Sequence, residues 1–476
     1  MSNGDTISKY KSLIKDIGLF AISSFGSKIL MLLLTPLYTS IIATEEYGIA
    51  DLINTTINFI YPILTLAIAD ATLRYALDKN VSKSAVLNIS IFFTLTSIVA
   101  LIACYPLNNL LSESLKSYWT VFVIIYALFN IQNCFSNFIK GIGKTSLFAV
   151  QGIIQTITII VCNVLFLVVL KNGLDGYLMS IIMGYTVPIL IMFFCGKLYL
   201  YIKPLKIDIL IIRDMLKYSI PMIPTLLAWA INTSIDKYMI IAMAGLSASG
   251  IYSVAHKIPT MFTTLLSVFT QAWQISAISN YGSDDESEYY TQIYSGLNLI
   301  SISGCVMIIL LAKWVSSFLF AKDYFIAWQY VPMLTISAMF SSHAGFLAAA
   351  FRAAQKTKSL FVTVFVGSVI NIALNLILLN VMGTLGAAIA TAASFMVVWA
   401  LRLIMVKKIV RIEINIPATT ITYALLLASA SLITFEVKYC SYILILSYII
   451  IIAINYRDAL HVLSSLKKLF FIKIKR

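Results

Sequence analysis

Charge is what this sequence has least of. Asp, Glu, Lys and Arg together make up 11% of the 476 residues, against 60% hydrophobic residues. A soluble domain carries about 25% charged residues, and no globular core could bury so much apolar side chain behind so little polar surface. The imbalance excludes a soluble protein and names lipid as the solvent. Strict alternation of apolar and polar residues is also missing, which excludes a β-barrel. What is present instead is a series of apolar runs of bilayer-crossing length from end to end. They are read here at 17–42, 47–69, 84–106, 117–139, 146–170, 175–196, 218–244, 250–280, 290–312, 325–351, 359–380, 384–406, 417–434 and 439–455. The expectation is an all-α integral membrane protein with about fourteen transmembrane helices and no soluble domain.

Catalytic signatures are absent too. No H-E-x-x-H, no G-x-S-x-G and no metal-spaced Cys/His set occurs. The six cysteines fall within or at the ends of apolar spans and form no C-x-x-C pair, so they read as packing residues. Gly141-Ile142-Gly143-Lys144-Thr145 resembles the end of a P-loop, but Phe138 stands where the first glycine belongs and no strand precedes it. No cofactor or metal is expected. The segments on the outer side are short, which leaves a membrane glycosyltransferase or polymerase no extracytoplasmic loop to work from. Nothing at the N-terminus reads as a cleaved signal, so the first run is expected to stay as a helix.

Basic residues give an orientation. With the N-terminus inside, the outer side carries only Lys116, Lys171, Lys313, Lys322 and Lys438, and Lys28, Lys237 and Lys257 fall inside spans; the rest of the 34 Lys and Arg are counted on the inner side, Arg402 at the end of the span 384–406 being taken with the linker that follows it. That asymmetry follows the positive-inside rule and puts both termini in the cytoplasm. The net charge of +14 is therefore a signal facing the membrane. Nucleic-acid binding would need a basic face on a folded domain.

The chain repeats itself. Lys140 aligns with Arg352, Lys144-Thr145 with Lys356-Thr357, Ser146-Leu147-Phe148 with Ser359-Leu360-Phe361, and Asn163 with Asn375. Gly173 and Gly176 align with Gly383 and Gly386. An offset near 212 contains six helices, an even number, so the two halves enter the membrane the same way round, as parallel repeats do in transporters. The expected domains are an N-lobe over 1–200, a cytoplasmic linker over 201–217, a C-lobe over 218–406, and two further helices with a basic tail over 407–476.

A charge at the bilayer centre costs about 2.5–3.5 kcal/mol on insertion scales, so each embedded one asks for a reason. They concentrate on the first two helices of each half: Lys28, Asp51, Asp70 and Arg74 in one, Asp236, Lys237, His256 and Lys257 in the other. Those helices would line a shared cavity. Asp51, Asp70 and Arg74 lie near helix ends, where snorkelling is an equal reading. Lys237 is about 100° round the helix from Asp236, and Asp236 with Lys257 could be a structural ion pair as easily as a substrate contact. His343 reads as structural. Lys28, Lys257, His256, Lys237 and Arg74 are the candidate substrate contacts; Asp236 and Asp51 are the candidates for ion coupling. Pro36, Pro62, Pro221, Pro224 and Pro259 fall in the same helices and are expected to bend them.

The stretch Leu32-Leu33-Leu34-Thr35-Pro36-Leu37-Tyr38 followed by Glu45-Glu46-Tyr47-Gly48-Ile49-Ala50-Asp51-Leu52 resembles the opening of O-antigen and polysaccharide flippases, the Wzx-type branch of the multidrug/oligosaccharidyl-lipid/polysaccharide (MOP) exporter superfamily. Ser253-Val254-Ala255-His256-Lys257-Ile258 and the K-T-x-S-L-F segment look like the same branch. The resemblance implies two six-helix lobes, two extra C-terminal helices and a cationic cavity between the lobes. It also implies transfer of an undecaprenyl-diphosphate-linked oligosaccharide, an O-antigen or capsule repeat unit, across a bacterial inner membrane. Its implied partners are that lipid-linked substrate, the bilayer, a polysaccharide polymerase and a chain-length regulator. The alternatives from other classes are a multidrug cation antiporter, which would favour acidic and aromatic residues over Lys28 and Lys257, and the membrane glycosyltransferase or polymerase already disfavoured.

Overall fold

The structure, a computed structural model, describes residues 28–456 apart from 79, 107–115, 203–207, 280–281, 283–285 and 355. The basic N- and C-terminal tails, Lys79, Ser283 and the acidic Asp284 and Asp285 lie outside the described residues. Among the described residues all regular structure is helical. The chain divides into two compact units, residues 1–234 and 235–476.

The first unit holds α1 (Thr35–Ile41), α2 (Thr44–Leu64), α3 (Ile68–Leu77), α4 (Lys83–Ala103), α5 (Trp119–Gly141), α6 (Thr145–Asn163), α7 (Gly173–Cys195) and α8 (Ile209–Ser219). Its core sets Ile68 and Ala71 of α3 against Val86 and Ile89 of α4, Phe138 and Ile139 of α5, Met192 of α7 and Met215 of α8. α8 falls in the stretch read as linker. Asp208 caps it, its carboxylate accepting the Leu210 N–H at 2.9 Å. α6 continues into a π-helical turn, Val164–Val169, in which Leu170 N–H reaches back five residues to Leu165 O at 2.9 Å.

α9 (Ile223–Ala255) crosses from the first unit into the second and is broken at Gly245, whose φ of 88° and ψ of 172° no residue with a Cβ adopts readily. The second unit continues with α10 (Lys257–Ser279), α11 (Glu286–Leu319), α12 (Val331–Ala353), α13 (Thr357–Met382), α14 (Thr384–Val406), α15 (Ile416–Thr434) and α16 (Cys440–Ile454). α12 is buried along almost its whole length. Its small residues, Ser337, Ala338, Ala344 and Ala348 to Ala350, let neighbours approach closely. Trp273 of α10 stacks on Phe346 at 4.4 Å and donates Nε1–H to the Phe346 carbonyl at 3.1 Å, which pins α10 to α12.

Ten helical stretches among the described residues are long and apolar enough to cross a membrane, or eleven if the bent pair α2–α3 is one span. The chain is a multi-pass membrane protein, and the expected count of fourteen is not reached on this measure. One stretch, 209–271, runs through the break at Gly245 as a single apolar run of 63 residues, far more than the 20 that cross a bilayer. α16 has only 15 residues, and the N-terminal side of Lys28 is outside the described residues.

The repeat is visible in the backbone. Lys144 and Lys356 precede α6 and α13 with φ/ψ of −86°/53° and −90°/54°. Each donates its N–H to the carbonyl five residues back, Lys144 to Ile139 at 3.0 Å and Lys356 to Phe351 at 2.8 Å. Equivalent residues thus close equivalent turns.

The prolines need correction. Pro224 and Pro259 sit in the first turns of α9 and α10, and Pro221 in the short 3-10 turn before α9. A first-turn N–H has no intrahelical partner to lose, so proline starts these helices without kinking them. Pro62 lies inside α2, but the 63° bend between α2 and α3 comes later, at Leu66 and Ala67, which have φ of 54° and 52°. The break in α9 belongs to Gly245.

Candidate functional site

Asp236 stands on α9 in an apolar helix, and the sequence around it supplies no basic residue one turn away. Its carboxylate is 1% exposed. A buried carboxylate must find donors or a counter-charge, and Asp236 finds donors. Tyr252 gives its hydroxyl to Oδ2 at 2.6 Å, Thr391 of α14 gives its hydroxyl to the same oxygen at 3.1 Å, and the Lys237 backbone N–H reaches Oδ1 at 3.0 Å. Behind this shell lie Asn371 and Asn375 of α13. Asn371 Nδ2 is 3.4 Å from both Thr391 Oγ1 and Ser394 Oγ, and Asn375 Nδ2 donates to the Asn371 carbonyl and side-chain oxygens at 2.9 and 3.1 Å. Asn375 Oδ1 accepts no hydrogen bond there. One turn before Asp236 on α9, Asn232 is buried with both amide atoms unbonded.

This is a compact set of oxygens with one negative charge. It suits a proton or a monovalent cation, which hydroxyl and amide oxygens can coordinate beside a single carboxylate. Among the described residues no group of three His, Cys, Asp or Glu could hold a metal.

The first unit has a related cluster around Asn163, the repeat partner of Asn375. Asn163 Nδ2 donates to Tyr38 Oη at 2.9 Å, and the Tyr38 ring meets Tyr177 edge-on at 5.0 Å, with Tyr47 at 5.9 Å from the same ring. Asp51, half-buried one turn beyond Tyr47, accepts from Thr55 at 3.5 Å. The clusters differ in where the carboxylate sits: bonded at the centre in the second unit, at the margin in the first.

The other expected residues lie as follows. Lys28 is exposed at the start of the described helix Lys28–Ile41. Arg74 is exposed on α3, its guanidinium 4.8 Å from the centre of the Tyr218 ring. Lys237 and Lys257 are half-buried. His256 is half-buried at the junction of α9 and α10, its ring 4.8 Å from that of Tyr252, so it borders the Asp236 cluster. His343 is fully buried, with Nε2 2.7 Å from Ser301 Oγ and Nδ1 3.3 Å from Tyr423 Oη, a structural environment. Tyr252, Thr391 and Asn371 did not stand out in the sequence. The available signal was Asn371 and Asn375, two amides one turn apart in the middle of a largely apolar helix.

A model of the family described as polysaccharide biosynthesis protein matches residues 13–274, more than half of the chain. The chain belongs to that family. No sequence among curated proteins matches it. Its fold is similar to that of several solved transporters. Lipid II flippase MurJ in an inward closed conformation aligns with a TM-score of 0.69 at 18% identity, over 93% of this chain and 99% of that one. An inward-facing multidrug resistance MATE transporter of the MOP superfamily aligns at 0.66 and 15%, over 82% and 97%. A MOP superfamily transporter from Pyrococcus furiosus, described as having a binding pocket of reverse polarity, aligns at 0.62 and 15%, over 83% and 95%. This family member therefore shares the fold of these transporters.

Proposed function

We propose that the protein is a flippase that moves an undecaprenyl-diphosphate-linked oligosaccharide from the cytoplasmic to the periplasmic leaflet of a bacterial inner membrane by alternating access. The observation that carries this reading is the conjunction of a polysaccharide biosynthesis family with a fold that matches a lipid II flippase over nearly the full length of both chains. The physical case is that a diphosphate and several sugars cannot cross hydrocarbon unaided, since each polar group would be stripped of water. Lys28, Lys257, His256, Lys237 and Arg74 supply the cationic contacts for the diphosphate, and Asp236, with Asp51 as the weaker candidate, couples transport to a proton or sodium gradient. Both termini are cytoplasmic, and a polysaccharide polymerase and chain-length regulator act on the product.

A second reading is a multidrug antiporter, favoured by the likeness to MATE transporters, which are known in inward- and outward-facing conformations. It is weaker because the MATE match leaves nearly a fifth of this chain unaligned and the embedded lysines suit an anion. Deleting the gene decides between them. The flippase reading expects surface polysaccharide to be lost and a lipid-linked glycan to build up on the cytoplasmic leaflet. Unchanged surface polysaccharide with increased sensitivity to cationic drugs would favour the antiporter.

A further inference from the structure

Amides inside membrane helices ordinarily bond a neighbouring helix. Gln132 of α5 does so, donating Nε2–H to Gln151 and Gln155 of α6 at 3.1 and 3.0 Å. Four other amides of the first unit bond only their own helix. Asn54 Nδ2 donates to the Ala50 carbonyl at 3.0 Å and Asn58 Nδ2 to the Asn54 carbonyl at 2.9 Å, both within α2. Asn137 Nδ2 donates to Asn133 Oδ1 at 2.9 Å within α5. Among the described residues the four side chains make no other hydrogen bond, so most of each amide's capacity is open. Asn58 is exposed and the other three are half-buried. Yet Asn54 is the midpoint of the 21-residue α2, and Asn133 stands eight residues, about 12 Å, from the end of α5.

Helical spacing gathers these amides into one track. Asn54, Asn58 and Tyr61 follow at intervals of four and three on α2, and Phe129, Asn133 and Asn137 at intervals of four on α5, so each set shares a face. The Tyr61 ring meets the Phe129 ring edge-on at 5.5 Å and joins the two faces. Both rings are half-buried. In the register that aligns Lys140 with Arg352, Phe129, Asn133 and Asn137 correspond to Ser341, Gly345 and Ala349 of α12. Ser341 and Gly345 are among the few residues of α12 that are not fully buried. The fold therefore leaves this face of the helix partly open in each unit, and only the first unit furnishes it with amides and a ring.

Open amides are costly against hydrocarbon, because each unmet donor or acceptor has lost its water. The track is therefore suited to water or a polar ligand, and its chemistry narrows the ligand. An amide presents a donor and an acceptor side by side, which pairs with neighbouring hydroxyls. An aromatic ring offers a flat apolar surface to the C–H face of a sugar. None of the six side chains carries a charge, whereas a phosphate calls for cations. We propose that Asn54, Asn58, Asn133 and Asn137, with the rings of Tyr61 and Phe129, bind the sugar residues of the lipid-linked substrate. This rests on the flippase reading and gives the glycan its own contacts, separate from the basic residues assigned to the diphosphate.

The test titrates the full chain, purified in detergent, with two probes: bare undecaprenyl diphosphate and the undecaprenyl-diphosphate-linked oligosaccharide extracted from membranes of its own host. Native mass spectrometry reads the affinity for each. The wild type should bind the glycan-bearing lipid several-fold more tightly than the bare one. Asn58→Leu and Asn133→Leu keep the size of the side chain and remove its hydrogen bonds. Each should cut that ratio by about two- to tenfold, the effect of one lost hydrogen bond, and leave the affinity for the bare lipid unchanged. Asn380→Leu, at an exposed amide of α13, should alter neither affinity. Asn58 is exposed, so its variant carries the test if Asn133→Leu fails to fold. Equal affinity of the wild type for both lipids would overturn the proposal and leave the flippase reading standing, as would an undiminished ratio in the folded leucine variants. A wild-type protein that binds neither lipid would count against the flippase reading and the proposal together.

Discussion

Tyr252 and Asp236 lie sixteen residues apart on the two arms of α9, and the 2.6 Å hydrogen bond between them spans the break at Gly245. The bond ties the arms together, so the geometry of the break and the environment of the carboxylate are set jointly. Tyr252→Phe keeps the ring and removes the donor. It should lower stability by about 1–3 kcal/mol, the cost of taking a hydrogen bond from a buried charged or polar group, read as a drop in unfolding temperature in detergent. No change in unfolding temperature would mean that the bond carries no load.

Asp236→Asn tests coupling. The amide keeps the size of the side chain and cannot release a proton or supply the charge for a cation. Transport driven by a proton or sodium gradient should lose its dependence on that gradient, with the protein at normal abundance. A variant that responds to the gradient as the wild type does would remove Asp236 from the coupling role.

The membrane class and the helical repeat were legible in the sequence, because each depends on composition or spacing. The partners of Asp236 were not. Thr391 lies 155 residues from it, and a hydroxyl in a membrane helix looks the same whether it bonds its own carbonyl or a distant carboxylate. Arg402 was misjudged for a related reason: a cation near a helix end reads as a loop residue until the packing shows it turned inward to Ala344 and Thr363. The bend at Leu66 and Ala67 has no glycine to announce it, whereas proline, read as a kink, turned out mostly to begin helices.

Two glycines separate backbone strain from close packing. At Gly245 an added Cβ meets nothing within 4 Å, so Gly245→Ala would suffer only from its positive φ, at about 1–3 kcal/mol. At Gly184 of α7 an added Cβ would lie 2.4 Å from Ile159 Cγ1 of α6, so the Ile159 side chain or its helix must shift, again at about 1–3 kcal/mol. Ile159→Ala should rescue Gly184→Ala and leave Gly245→Ala unimproved, measured as a coupling between unfolding temperatures in a double-mutant cycle. Equal rescue of both would show that the assignment of cause is wrong.

Topology can be settled with reporter fusions. The charge asymmetry predicts a cytoplasmic C-terminus and an outside position for Lys171, between α6 and α7. Alkaline phosphatase should be inactive when fused at the C-terminus and active after Lys171. The opposite pair of results would mean that the number of crossings has been misjudged by one.

The last prediction concerns the cationic contacts. A diphosphate brings at least two negative charges to the membrane, and a lysine near its path lowers the cost of leaving water by offering a charge-assisted hydrogen bond. Lys257 is half-buried at the start of α10, next to His256, and Lys28 is exposed on Lys28–Ile41. If they contact the headgroup, Lys28→Ala and Lys257→Ala should each reduce transport several-fold, and the arginine replacements, which keep the charge on a different fork, should retain more of it. Abundance must be matched, because removing a half-buried cation can also destabilise the protein. Surface polysaccharide export at the wild-type rate by both alanine variants would separate these lysines from substrate binding. Loss in the alanine variants with recovery in the arginine ones is the pattern that charge recognition requires, since a packing role would be disturbed by both replacements.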